Sequence, residues 1–291
     1  MQNATETRGN LPGGAWLIAD MSFNICALSI VKALGLGYPA AQLVFLRAIV
    51  GLLVTIPWIW VARDAFYSVD RWRLHGLRIV FSTLALAASF FAISRLPFAL
   101  FTAISFTRPV VTMILAAIIL KEVIIGRRWI AAAVAFGGVM IAIAPAQVVL
   151  SWGLPAMGAT VLFGTSAIIV TRQLAGTPTV VMMAFYTGGL SVLTAPFAIT
   201  SWQQIAPDQL FALLAIGVLA QAAQFCFLNA HARAEAGFLA ILSYLSLLLT
   251  TAIGYVVFDE VPTLAFAAGA ALIIVAAVST TLQNAAKSPP S

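Results

Sequence analysis

Charge is what this chain has least of. Asp, Glu, Lys and Arg together make up 8% of its 291 residues, against roughly 25% in soluble domains. Hydrophobic residues make up 62%, and the mean hydropathy is +1.05. A fold in water could not hide that much apolar side chain, because more than half of any folded surface faces solvent; the solvent here is lipid. Metal-binding and redox chemistry lack their residues as well. The two cysteines, Cys26 and Cys226, stand alone inside apolar runs and read as packing residues. There is no phosphate-cradling glycine loop, so nothing in the chain uses ATP. Paired carboxylates, a His/Glu metal motif and a nucleophile with its base are all missing. The sequence therefore points to no catalytic residues, no metal and no cofactor. The net charge of +6 does not point to nucleic acid, because the basic residues sit in short loops between apolar runs, where they set orientation in a membrane.

What fills the chain is a series of long apolar runs. A helix crossing the hydrocarbon needs about 20 apolar residues, and only a helix satisfies its backbone within one segment. The pattern predicts ten spans, near 14–34, 38–62, 74–93, 97–119, 127–145, 150–172, 178–200, 208–229, 236–258 and 261–282. Prolines punctuate the connections at Pro39, Pro97, Pro145, Pro178, Pro207 and Pro262, several of them in the first turn of the next helix, where a missing N–H costs nothing. Residues 1–13 read as a polar tail rather than a signal peptide, and 283–291 as a second tail. With the N-terminus in the cytoplasm, eleven basic residues from Arg8 to Lys287 fall on the inner side and only Lys32 and Arg95 on the outer. That asymmetry predicts both termini in the cytoplasm and an inner (plasma) membrane location.

The chain also resembles itself. At an offset of 138, Ala92 matches Ala230, Arg95 matches Arg233, Ser105 matches Ser243, Phe106 matches Tyr244, Thr112 matches Thr250 and Glu122 matches Glu260. At 139, Pro39 matches Pro178, Thr55 matches Thr194 and Pro57 matches Pro196. Two regions giving nearly one offset predict a duplication into repeats 14–145 and 150–282. Five is odd, so the second repeat would lie upside down in the membrane. The expected fold is an all-α integral membrane protein whose ten transmembrane helices form two inverted five-helix repeats, a design that secondary transporters use with a site near the midplane.

The stretch from Pro109 to Lys121-Glu122, followed by Gly137-Gly138-Val139, with its echo in Asp259-Glu260 and Gly269, resembles the drug/metabolite transporter superfamily in its ten-helix EamA-type form. Lys32, Tyr38-Pro39, Gln42 and Phe45-Leu46-Arg47 resemble the opening of its bacterial members. The resemblance covers essentially the whole chain. It implies a carrier that works by alternating access, with export of amino acids or related metabolites expected and uptake of S-adenosylmethionine or riboflavin as the alternative. A non-transporting membrane protein and an intramembrane enzyme are the remote readings. The expected partners are a small solute and the bilayer, not nucleic acid, with the chain a monomer or a homodimer. One departure stands out: Leu247 occupies the position that would repeat Pro109, so a symmetric pair of proline bends is not expected.

Within the spans, Arg108 is the prominent candidate. A charge at the bilayer centre costs about 2.5–3.5 kcal/mol, so it persists only beside a cavity or a partner. It is either a cation awaiting a substrate carboxylate or phosphate, or a guanidinium pinned to carbonyls freed by Pro109. Arg47, also deep, reads as structural or headgroup-binding. Asn24, Ser105, Gln221 and Gln224 are candidate cavity-lining polar groups. Phe101, Tyr186 and Tyr244 are candidate aromatic contacts. Asp20 is the acidic residue placed to couple transport to protons, since His75 and His231 are predicted near the cytoplasmic surface. Glu122 and Glu260, at helix ends, read as structural.

Overall fold

The computed structural model describes residues 10–33, 38–67, 69, 71–93, 95–96, 98–143, 151–259 and 261–285. Residues 1–9 and 286–291 of the two tails, Glu260, Pro97 and Pro145 lie outside these residues, as do the side chains of Lys32, Phe90 and Phe98; residues 10–13 and 283–285, expected as tail, are helical. Every regular element described is helical: α1 (Asn10–Ala33), α2 (Ala40–Val61), the single turn α3 (Asp64–Tyr67), α4 (Trp72–Ile93), α5 (Phe98–Ser105), α6 (Arg108–Ile119), α7 (Gly126–Ile143), α8 (Gly153–Gln173), α9 (Thr179–Thr200), α10 (Leu210–Arg233), α11 (Ala236–Leu242), α12 (Leu245–Phe258) and α13 (Leu264–Ala285). Among the described residues, eight stretches are long and apolar enough to cross a membrane: α1, α2, α5 with α6, α7, α8, α9, α10, and α11 with α12. The protein is a multi-pass membrane protein. The predicted spans at 74–93 and 261–282 correspond to α4 and α13, each a 22-residue helix outside those eight.

Sequence chemistry sets the helix ends. Pro39 and Pro178 cap α2 and α9 with φ of −57° and −53°, and each of these helices carries a second proline, Pro57 or Pro196, further along. At the far ends of α6 and α12 the chain turns through a left-handed residue, Lys121 and Asp259, each at φ 54°. Non-glycine residues rarely adopt this conformation. The two turns are mates under the same offset that relates the repeats.

The predicted fourth and ninth spans are not continuous helices. The first breaks at Phe106–Thr107, between α5 and α6, and the second at Ser243–Tyr244, between α11 and α12. Pro109 explains the first break, since it cannot donate to the carbonyl of Ser105, and the Thr107 hydroxyl donates to the Ile104 carbonyl at 2.6 Å. The second break has no proline. There the Ser243 hydroxyl donates to Ala240 O and the Ser246 hydroxyl to Ser243 O, both at 2.7 Å, and the amides of Tyr244, Ser246 and Leu247 form tighter three-residue bonds. Serines that compete for helix carbonyls in this way disrupt regular winding. As Leu247 implied, no second proline bend pairs with that of Pro109; hydroxyls accomplish here what the proline does in the first half.

Four helix pairs make the most extensive contacts: α1 with α10, α4 with α8, α2 with α9, and α7 with α13. Under the 138–139 offset, α1 answers to α8 and α4 to α10, so the first two pairs are mates of each other. The last two pairs each join a helix to its own mate. The α7–α13 crossing is tight because Gly138 faces Gly269: a Cβ on Gly138 would sit 2.6 Å from the Gly269 carbonyl oxygen. The adjoining core packs Met113, Val139, Ile241, Tyr244 and Ile273.

Candidate functional site

The two helix breaks meet at a cavity of about 310 Å³. Its wall is made by Leu17, Asp20 and Met21 of α1; Ser105, Phe106, Arg108, Pro109 and Thr112 around the first break; Ile168 of α8; Phe227 and His231 of α10; and Ala236, Leu239, Ala240, Ser243 and Ser246 around the second. The repeat-matched serines Ser105 and Ser243 both line it. The repeat-matched rings of Phe106 and Tyr244 stack beside it, with centroids 6.1 Å apart and planes inclined by 16°. Irregular backbone at membrane depth is tolerated where it borders a cavity, and that is where both interruptions fall.

Arg108 opens α6, directly after the break, and its guanidinium lies against Gly164 of α8, where a Cβ would sit 3.6 Å from Cζ. Its Nε is buried without a hydrogen-bond partner. Among the described residues the Arg108 side chain forms no ion pair and no hydrogen bond, so the carbonyls freed by Pro109 do not hold it; Thr112 takes the Arg108 carbonyl itself at 2.9 Å. Asp20 is buried, and its Oδ1 accepts from Asn24 Nδ2 at 2.7 Å. No ion pair joins Asp20 to Arg108. The cavity thus holds one carboxylate and one guanidinium, with the hydroxyl residues Ser105, Thr112, Ser243 and Ser246 and His231, in a wall that is apolar elsewhere, the composition expected of a ligand site.

Of the residues singled out from sequence, Arg108, Ser105 and Asp20 come together at this cavity, with Asn24 behind Asp20. The others have different surroundings. Gln221 donates to Thr55 Oγ1 at 2.6 Å, tying α10 to α2. Gln224 buries an unpartnered Nε2, and the fully buried Tyr244 an unpartnered hydroxyl. Phe101 packs against the cluster of Leu96, Met157 and Val161. Tyr186 lies under the Arg78 guanidinium, 5.0 Å from its ring centroid. The sequence missed His231. Expected near the surface, it is buried in the cavity wall, with Nδ1 2.9 Å from the Phe227 carbonyl oxygen. His75 is buried too, stacked on Phe185 at 4.6 Å.

Beneath the cavity, on the side of the α6–α7 turn, the wall is tied by ions. Glu122 pairs with Arg172 at the end of α8, and its Oε2 accepts from the Ala236 amide at 3.1 Å. Arg172 also donates to the carbonyls of Ala234 and His231. Arg128 pairs with Glu235, whose amide donates to Asn10 Oδ1 at 3.0 Å. Ala236 and His231 line the cavity, so this cluster lies one residue beneath its floor. Glu122 is one of the repeat-matched glutamates, and its partner Arg172 sits two helices further along the chain, a separation that no sequence pattern bridges.

A family model described as the EamA-like transporter family matches the chain twice, over residues 16–144 and 150–282. The chain belongs to the EamA-like transporter family. An S-adenosylmethionine uptake transporter of Rickettsia felis is 24% identical to it, with 94% of this chain and 93% of that protein covered. A riboflavin transporter of Rhizobium johnstonii is 29% identical, over 94% and 92%, and a pseudopaline exporter of Pseudomonas aeruginosa is 26% identical, over 92% and 96%. A solved crystal structure superposes with a TM-score of 0.80 at 20% identity, covering 95% of this chain and 99% of the other, which shows a shared fold. The named relatives are transporters rather than enzymes, and they differ from one another in solute and direction. This EamA-like protein is accordingly a membrane transporter of small solutes.

Proposed function

We propose that the protein is a secondary transporter that moves amino acids or related metabolites out across the inner (plasma) membrane by alternating access. The carrying observation is the cavity between the two helix breaks, with a guanidinium unpartnered among the described residues and a buried carboxylate in a largely apolar wall. The ten predicted spans form two inverted five-helix repeats, 14–145 and 150–282, with both termini in the cytoplasm. Supporting this are the breaks, the left-handed turns and the helix pairings that recur at nearly one sequence offset. Two mirrored halves can exchange conformations, which gives alternating access. The Glu122–Arg172 and Arg128–Glu235 cluster seals the cavity at its cytoplasmic end, and opening requires those pairs to part.

Uptake of S-adenosylmethionine or riboflavin is the second reading, favoured by what two of the relatives are named for. Counterflow in proteoliposomes separates the two. Purified protein is reconstituted, loaded with one unlabelled amino acid, and followed for entry of labelled amino acids, with S-adenosylmethionine and riboflavin as the alternative loads. Saturable, protein-dependent entry of amino acids supports the first reading. Entry of only the larger solutes replaces it with the second.

A further inference from the structure

We propose that Arg108 and Asp20 form a two-point site for a zwitterion: the substrate's carboxylate docks on the Arg108 guanidinium and its ammonium on the Asp20 carboxylate. This rests on the transporter reading and assigns Asp20 a role in recognition rather than proton coupling. Three observations carry it. Arg108 and Asp20 reach one cavity from different helices, α6 and α1, and remain unjoined. Opposite charges in a poorly screened interior attract strongly, so a pair held apart around open space leaves room for a bridging group with both signs. Each is also arranged toward that role. Arg108 has donors that no described residue takes up, at the start of a helix whose dipole adds positive potential, and Ser105 lines the same cavity. Asn24 holds Asp20 through Oδ1, and no described residue engages Oδ2.

The third observation is the charge balance of the wall. Asp20 and Arg108 are its two formal charges, and His231 is its remaining titratable group, occupied at Nδ1 by the Phe227 carbonyl. A lone carboxylate would dock on Arg108 but meet Asp20, and a lone amine would do the reverse. Only a ligand with both groups satisfies both, which is rejection of the wrong ligand by unpaired charge. Apart from Thr112, Ser243 and Ser246, the remaining surface, with Leu17, Ile168 and Leu239, is apolar. The volume of about 310 Å³, that of roughly ten water molecules, suits an amino acid with an apolar side chain.

The test is competition against counterflow of labelled L-phenylalanine in proteoliposomes, with L-phenylalanine, 3-phenylpropanoate and 2-phenylethylamine as competitors. In the unaltered protein each one-charge analogue should compete at least about tenfold more weakly than the amino acid. Asp20→Asn should bring 3-phenylpropanoate to within about threefold of the amino acid, and Arg108→Gln should do the same for 2-phenylethylamine. Asp20→Glu should restore the discrimination and show that the site still folds. Asp20→Asn that keeps full discrimination and loses only its response to a pH gradient overturns the proposal and makes Asp20 a coupling residue. Flux of analogues irrespective of their amino group overturns it while leaving the transporter reading intact. Absence of flux for any solute, from protein that remains monodisperse, refutes that reading and the proposal with it.

Discussion

Replacing Glu122 by Gln removes one charge from the cluster beneath the cavity and keeps the side chain's shape. The Glu122 and Arg172 side chains are only 18% and 15% exposed, so the pair is largely desolvated. Removing one partner of a buried pair costs roughly 3–5 kcal/mol. Arg172 keeps the carbonyls of Ala234 and His231, and Gln can still accept from the Ala236 amide, so the low end, about 3 kcal/mol, applies. At about 1.4 kcal/mol per factor of ten, the sealed state should lose roughly a hundredfold of its advantage over the open one. The assay is labelling of Ser243→Cys, a cavity-wall position, by a charged thiol reagent applied from the side of the cluster. Cys26 and Cys226 are replaced by serine in the background. The Glu122→Gln variant should label at least about tenfold faster than its parent, and the charge swap Glu122→Arg with Arg172→Glu should slow labelling again. A rate within about twofold of the parent, in protein of unchanged stability, would refute the reasoning and leave the cluster a helix-end tie.

Arg108→Lys keeps the charge but not the planar fork, so it should retain weak transport with a raised KM, whereas Arg108→Gln should lose at least about tenfold in kcat/KM; parallel counterflow titrations separate the two. Gly138→Ala places a Cβ 2.6 Å from the Gly269 carbonyl, an overpacking that should cost about 1–3 kcal/mol and lower the thermal midpoint of the detergent-purified protein. Green fluorescent protein fused at either terminus should fluoresce, and alkaline phosphatase fused there should be inactive; the opposite pattern would invert the proposed orientation.

The sequence made the helices legible because lipid leaves the backbone few options: an apolar run long enough to cross the bilayer must wind, and Pro39 and Pro178 mark where winding starts. The duplication was legible from Pro57 with Pro196 and Ser105 with Ser243, residues that apolar composition does not demand. The second helix break was not, because serine inside a helix is compatible with unbroken winding, and only the bonds of Ser243 and Ser246 show which way it went. Arg108 stood out because a charge at that depth is costly. His231 did not: its place near a helix end suggested the surface, while packing of α10 against α1 buried it. The partner of Glu122 was out of reach, since its pairing with Arg172 follows from tertiary packing and not from spacing. Gln221 and Tyr186 are the mirror case. They are polar or aromatic enough to suggest substrate contact, yet they are engaged by Thr55 and Arg78.

A transported solute that occupies the cavity between the two breaks should shield a cysteine placed in its wall. In proteoliposomes that show counterflow, Ser243→Cys should be labelled several-fold more slowly when the transported solute is present. A cysteine at Leu162, on the exposed face of α8, should be unaffected. Equal labelling of Ser243→Cys with and without a solute that is plainly carried would place the transport path elsewhere and contradict the account.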